Sequence, residues 1–392
     1  MGAPRHHRPR AVRHLPALGE RRDVRGVLPS AVPSRGDHRS RQGADREPAR
    51  HQPLRRASRG ARVTRFSLFL PSIHEGRFIP MGGLTPAHIF RPAERAEELG
   101  YDGIWIGEYL ESQADVMAQF TDPPSYYAPL ATLAMLAART SRVRLTTGVL
   151  VLPYHDPLIL AREFATLDVL SGGRVTLGTG LGGGVERYRQ TRKLHGPVNR
   201  AALMEEAIQA MRRLWEDRKA TFVGTYFEFH DLEMFPKPLQ SPFPVVMAGG
   251  AEQVVERIGR LANGWIDTYL PPDGMRAHIA QLRAAAREAG REGERFEILR
   301  SFFCSIAASD DRAERQRLES VPGGRPAGRP NDAQREFLLV GAPETIVRQL
   351  RRYDGLGITE FNVAFYHRDV AATLAQIDLF ARNVMPAFRG SA

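Results

Sequence analysis

The chain has 392 residues, 42% of them hydrophobic and 25% charged, which is enough apolar material for one large core. Its formal net charge is +11, but residues 1–62 hold 16 Arg and no Lys against five acidic residues, while the remainder carries 39 basic and 39 acidic residues. The excess positive charge therefore belongs wholly to the first segment. The single cysteine, Cys304, excludes an intrachain disulfide and fits a reducing, cytoplasmic setting, and no apolar run approaches the ~20 residues needed to span a membrane.

Residues 1–62 contain no Phe, Tyr or Trp and are rich in Arg, Pro, Gly and His. Such a segment cannot bury enough apolar area to offset its ordering entropy, so it is expected to be disordered. Three readings stand: non-specific contact with nucleic-acid phosphates, an Arg-rich targeting segment, or upstream DNA translated from a misplaced start. Five acidic residues and a shortage of Ser count against targeting. The last is favoured, because GC-rich DNA yields this composition in almost any frame and the ordered pattern begins abruptly at Val63-Thr64-Arg65-Phe66. The domain reading is thus a tail, 1–62, and one barrel, 63–392.

From Arg65 onward, apolar runs alternate with amphipathic segments. Strands are predicted at Phe66–Leu70, Gly103–Ile106, Val143–Leu152, Val175–Gly178, Val245–Met247, Gly264–Thr268, Phe296–Ala307 and Glu360–Phe365. They are continuously apolar rather than alternating, as parallel strands buried on both faces are. The intervening helices show steps of three and four, such as Leu203, Ala207, Ala210 and Leu214, and present one stripe each to a sheet. Thr85-Pro86 opens the first helix, Leu99-Gly100 closes it, and Asn199 can cap the fourth. Eight βα repeats predict an α/β fold, a single (β/α)8 TIM barrel. Residues 220–238 read as a hairpin around Gly224-Thr225 followed by a loop. Residues 310–335 read as a mobile excursion that serves either as a lid or as a tolerated insertion. Cys304, in the apolar run Phe302–Ile306, reads as a buried inert thiol, since no His or Lys stands beside it.

Several phrases occur together and in order: TGVLVLPYHDP at 147–157, LAREFATLDVLSGGR at 160–174, LGTG at 177–180, RAALMEEAIQAMRRLW at 200–215 and MAGG at 247–250. They resemble the bacterial-luciferase-like family of flavin-dependent enzymes, in which some members use FMN and others the deazaflavin F420. The resemblance covers about 325 residues and implies a ring bound over the C-terminal ends of the strands. By position it implies a non-prolyl cis peptide at Gly148–Val149, with Thr147 and Gly180 also against the cofactor. A glycine at 148 suits close ring approach and an unusual backbone. Gly249-Gly250 matches a phosphate-contacting turn, and Arg200, in the first turn of a helix, matches an arginine that pairs with the same phosphate. Leu181 departs from the pattern, since luciferase itself has arginine there.

At the end of strand two, Glu108 could position substrate or move a proton, and Tyr109 could donate a hydrogen bond. The bland alternative for Glu108 is a capping or ion-paired residue. His74 and His155 are further candidates, with plain surface-loop histidines as the alternative. No HExxH, CxxC or GxxxxGK[ST] occurs, so no metal site is expected. The leading expectation is a monooxygenase in which reduced FMN from a separate flavin reductase reacts with oxygen and oxygenates a small-molecule substrate. The alternative is F420-dependent hydride transfer without oxygen, with Arg187, Arg189, Arg192 and Lys193 holding the longer anionic tail. A non-enzymatic flavin-binding barrel or a basic-tailed nucleic-acid binder is the third class. The resemblance further implies a homodimer.

Overall fold

Parallel pairing joins β1 (Arg65–Phe69), β2 (Gly103–Ile106), β3 (Arg144–Thr147), β4 (Val175–Gly180), β5 (Val245–Ala248), β6 (Gly264–Ile266), β7 (Glu297–Ile306) and β8 (Glu360–Phe365), and β8 returns to β1. The computed structural model describes residues 64–389 apart from 77–78, 80–81, 111–113, 119, 183–197, 268, 321–335 and 367–368. It is a closed (β/α)8 barrel, as the apolar runs predict. Phe66, Leu68, Ile104, Leu145, Leu177 and Val245 are wholly buried against the helical layer, and Trp105, Val246, Ile266 and Leu299 pack together as a separate interior cluster. The tail, 1–62, lies outside the described residues.

Two expectations are corrected. Residues 143–152 do not form one strand: β3 stops at Thr147, a separate piece, Leu150–Val151, pairs with β4, and the Gly148–Val149 peptide between them is cis, at the predicted bond. Strand-forming residues, Thr146-Thr147 before and Val149-Leu150-Val151 after, flank Gly148, so periodicity could not reveal the break. Residues 310–335 are not wholly irregular. Asp310–Glu319 is a helix whose first turn is capped by the Ser309 hydroxyl, and it was illegible because it buries only Ala313 and Arg317. Residues 321–335 of that excursion, whether lid or insertion, lie outside the described residues. Beyond them, Leu338–Gly341 adds a parallel strand along the outer half of β7, which the sequence did not announce.

The helix boundaries follow their local chemistry. Thr85 and Pro86 start the first helix, and Gly100, at φ +82°, follows its end. The Asn199 side chain accepts from the amides of Ala201 and Ala202 at 3.1 and 3.2 Å, fixing the start of helix Arg200–Glu216. That helix buries Met204, Ala207, Ile208, Met211 and Leu214, so its stripe is offset from Leu203. The hairpin forms as predicted, with strands Ala220–Val223 and Glu228–Leu232; the Glu206 carboxylate accepts from the amides of Thr225, Tyr226 and Phe227 at its tip.

The base of the barrel is shut by charge. Arg65 reaches Glu297 at 2.9 Å and Glu360 at 3.2 Å, and Arg144 reaches Glu297 at 2.9 Å. Glu360 also accepts from the Ser67 hydroxyl at 2.6 Å and the Trp105 indole at 2.8 Å, and Arg144 donates to the Thr176 hydroxyl at 2.8 Å. Every charge in this lattice has an opposite partner, which is the condition for holding charges at low exposure.

Candidate active site

All the candidate residues lie near the opposite end, where the strands give way to the βα loops. Glu108, two residues beyond β2, is 6% exposed. One carboxylate oxygen accepts from the Val151 amide at 2.6 Å, and the other lies 3.0 Å from Nε2 of His155. His155 follows the short helical turn Leu152–Tyr154, and the next residue, Asp156, caps the helix Pro157–Ser171 through the amides of Leu158 and Ile159. Two residues 47 positions apart thus become a carboxylate–imidazole pair. The carboxylate fixes the ring, and the ring, one-quarter exposed, is the member that can exchange a proton.

The seam between β3 and β4 explains the glycines. A Cβ on Gly148 would stand 2.4 Å from Cε3 of Trp105 and 3.2 Å from Phe69, so the missing side chain makes room for that indole. A Cβ on Gly178 would meet the Thr147 carbonyl oxygen at 1.9 Å. Here the two strands touch: the Thr147 hydroxyl donates to the Gly178 carbonyl at 2.7 Å and accepts from the Gly178 amide at 2.9 Å. Thr147 is wholly buried, so its side chain serves the seam, while Val149 and Gly180 stand just beyond it, with Val149 Cγ2 3.0 Å from where a Gly180 Cβ would be.

Aromatic rings gather at the mouth. His74 stacks on Phe69 at 5.3 Å between centroids and meets Phe303 edge-on at 5.9 Å. Tyr109 packs on Tyr126 at 5.5 Å, and Tyr269 lies on Phe337 at 5.2 Å and near Phe303 at 6.4 Å. Tyr269 adopts φ +66°, which a non-glycine residue holds only where its surroundings enforce it. They do: its amide donates to Asp267, and Asp267 is ion-paired with the buried Arg300. Desolvation, with Tyr109 nearby, pushes the Tyr269 phenol up to about 12, so it stays protonated. Sequence reasoning missed Phe69, Trp105, Tyr126, Tyr269 and Phe303. Phe69, Trp105 and Tyr269 stand within three residues of a strand end and Phe303 inside β7, positions indistinguishable from core without the barrel. Cys304 is buried, and burial pushes its thiol up, as expected of an inert side chain.

The third group surrounds Gly249-Gly250, between β5 and helix Glu252–Leu261. A Cβ on Gly249 would lie 2.3 Å from Val254 Cγ1, so the turn admits no side chain there. The N-cap residue, Ala251, offers no side-chain acceptor to the first amides of that helix. Arg200 donates to the Leu181 carbonyl at 3.0 Å. Since Thr179 is in register with Met247, Leu181 stands level with Gly249 on the neighbouring strand. A guanidinium at the end of one strand and uncapped amides at the end of the next suit a phosphate-bearing cofactor. Arg187, Arg189, Arg192 and Lys193 lie outside the described residues. Arg212, further along the Arg200 helix, is half-buried. It donates to the Leu261 carbonyl at 2.6 Å, satisfying a helix C-terminus. Among the described residues, no three His, Cys, Asp or Glu side chains are arranged to hold a metal ion.

Comparison with known proteins bears on the family and the fold. The family model described as luciferase-like monooxygenase matches residues 64–360. An F420-dependent glucose-6-phosphate dehydrogenase of Kineococcus radiotolerans is 31% identical over 255 residues, 63% of this chain and 72% of that protein. One from Intrasporangium calvum is 28% identical over 80% of this chain and 99% of its own length. Among solved structures, the F420-dependent tetrahydromethanopterin reductase of Methanopyrus kandleri superposes with a TM-score of 0.67 at 20% identity, covering 84% of this chain and all of that one. The monooxygenase RslO1 of Streptomyces bottropensis gives 0.68 at 23% identity, covering 83% and 100%. At these identities the structures share the fold.

Proposed function

The chain belongs to the luciferase-like monooxygenase family, whose members are flavin- or F420-dependent oxidoreductases, and from that premise we propose that it uses F420 to move a hydride to or from a small alcohol or carbonyl compound, without oxygen. This reverses the order of the two expectations drawn from sequence, in which FMN and oxygen came first. The match over 99% of an F420-dependent dehydrogenase carries the reading. The FMN-bound monooxygenase among the neighbours, at 18% identity, supports only the shared barrel.

When bound, F420 supplies a carbon that accepts or returns a hydride. Oxidation of an alcohol also releases the hydroxyl proton, and that proton needs an acceptor. His155 takes it, oriented by Glu108 at 3.0 Å, and Val151 holds the carboxylate in place from the backbone. Phe69, His74, Tyr109, Tyr269 and Phe303 wall the mouth and exclude water from the hydride path. Arg200 and the amides following Gly249 hold the phosphate, and Val149 and Gly180 bound the space at the β3–β4 seam.

No described helix is long and apolar enough to cross a membrane. A cytoplasmic homodimer is part of the proposal, and it needs no flavin reductase. The test is anaerobic: the protein is mixed with F420 and a panel of small alcohols, and loss of the oxidised deazaflavin absorbance is followed. Turnover supports the reading. Oxygen uptake with reduced FMN, and none with F420, overturns it.

A further inference from the structure

Trp265 and His278 lie outside the mouth, yet both reach the Gly249-Gly250 turn. The Trp265 indole N–H donates to the Gly249 carbonyl at 2.7 Å, and Nε2 of His278 lies 2.7 Å from the Gly250 carbonyl. The two rings stack, 5.7 Å apart and 12° from parallel. Trp265 is on β6 and wholly buried, and His278 is on helix Pro272–Glu288, where Nδ1 lies 2.9 Å from the Gly274 carbonyl one turn earlier. Both partners are acceptors, and with its proton on Nε2 the ring donates to the Gly250 carbonyl.

The consequence follows from peptide geometry. Neither peptide following Gly249 or Gly250 is cis. In a trans peptide the N–H points opposite to its own C=O. Holding the Gly249 carbonyl toward Trp265 therefore turns the Gly250 amide the other way, and holding the Gly250 carbonyl toward His278 does the same for Ala251. Neither amide makes a backbone hydrogen bond among the described residues. A glycine turn has no side chain of its own to set these directions.

We propose that Trp265 and His278 are positioning residues that aim the Gly250 and Ala251 amides at the phosphate of the bound cofactor, an inference that rests on the phosphate-anchor reading above. They touch neither the ring nor the reacting atoms. Their loss is felt only by ligands that carry the phosphate.

Binding is measured by fluorescence titration of the full chain with F420 and with its phosphate-free deazaflavin chromophore. The parent protein is expected to bind F420 more tightly than the chromophore. Equal affinity in the parent means that the anchor reading itself is wrong. With the anchor intact, His278→Ala is expected to lose roughly 3- to 10-fold in F420 affinity, the span of one neutral hydrogen bond, with chromophore affinity unchanged. His278→Gln keeps an N–H donor and is expected to recover part of that loss. Trp265→Phe keeps a ring while removing the indole donor, and is expected to show the same phosphate-specific loss. If the parent discriminates and the folded His278 and Trp265 variants discriminate equally well, the positioning role is refuted. It is refuted too if both ligands weaken together, since that marks a general packing defect. Should His278→Ala not fold, His278→Gln and Trp265→Phe decide by the same comparison.

Discussion

Glu108 is the residue whose replacement separates chemistry from architecture. Its carboxylate does two jobs, accepting from the Val151 amide at 2.6 Å and holding His155 at 3.0 Å. Glu108→Ala removes both. The Val151 amide is left without a partner in a buried place, which costs about 1–3 kcal/mol and lowers the melting temperature of a barrel this size by roughly 1.5–4.5 °C. Glu108→Gln keeps an acceptor oxygen for Val151 at nearly the same volume, so its melting temperature is expected within about 1 °C of the parent. It does remove the charge that orients and supports an imidazolium. The turnover number is therefore expected to fall about 100-fold or more, the lower end of what a positioned acid–base group contributes. Melting is read by calorimetry and turnover by anaerobic bleaching of the deazaflavin. Parental turnover in Glu108→Gln would show that Glu108 has no part in moving the proton. A Gln variant as unstable as the Ala variant would show that the charge itself is structural.

Arg200→Ala is expected to weaken F420 binding roughly 10- to 150-fold, the value of a charge-assisted contact, with the fold retained. Arg213→Ala, at an exposed site on the same helix, is the control, since Arg212 is bound to Leu261; equal losses in both would refute the anchor. Burial alone would raise the Glu297 carboxyl, but Arg144 and Arg65 more than offset it and hold it below the ordinary glutamate range. A depressed folded value adds stability above about pH 5 that is lost as pH falls through the folded value, so melting temperature should drop on acidification, less steeply in Glu297→Gln. Identical slopes in calorimetry would refute that assignment. On the proposal that residues 1–62 form no part of the barrel, a chain starting at Val63 is expected to melt within about 4 °C of the full chain; a larger drop would show that they pack on it.

The barrel was legible because its strands and helices are each written locally. Continuous apolar runs marked the strands, and Thr85, Gly100 and Asn199 marked boundaries that the structure reproduces. The break after Thr147 was legible only through the family resemblance, because strand-forming residues stand on both sides of Gly148. Asp310–Glu319 was missed for the opposite reason, having too few buried positions to write a stripe. Within the candidate site, single residues could be nominated, but pairings could not. Nothing in the sequence joins Glu108 to His155, or His278 to the turn at Gly250. Those distances are set by how eight strands close, which is a property of the whole chain.

The charge lattice at the base also determines traffic. With Arg65, Arg144, Glu297 and Glu360 bonded across the bottom and Trp105, Val246, Ile266 and Leu299 packed above them, the barrel is open to a ligand only from the βα-loop end. If the deazaflavin lies deep and the alcohol above it, the two must enter in sequence and leave in reverse. Product waiting at the aromatic mouth then blocks exchange of the cofactor beneath it. On the F420 reading, the same closure that holds the strands together makes the order of binding a matter of geometry rather than of relative affinity.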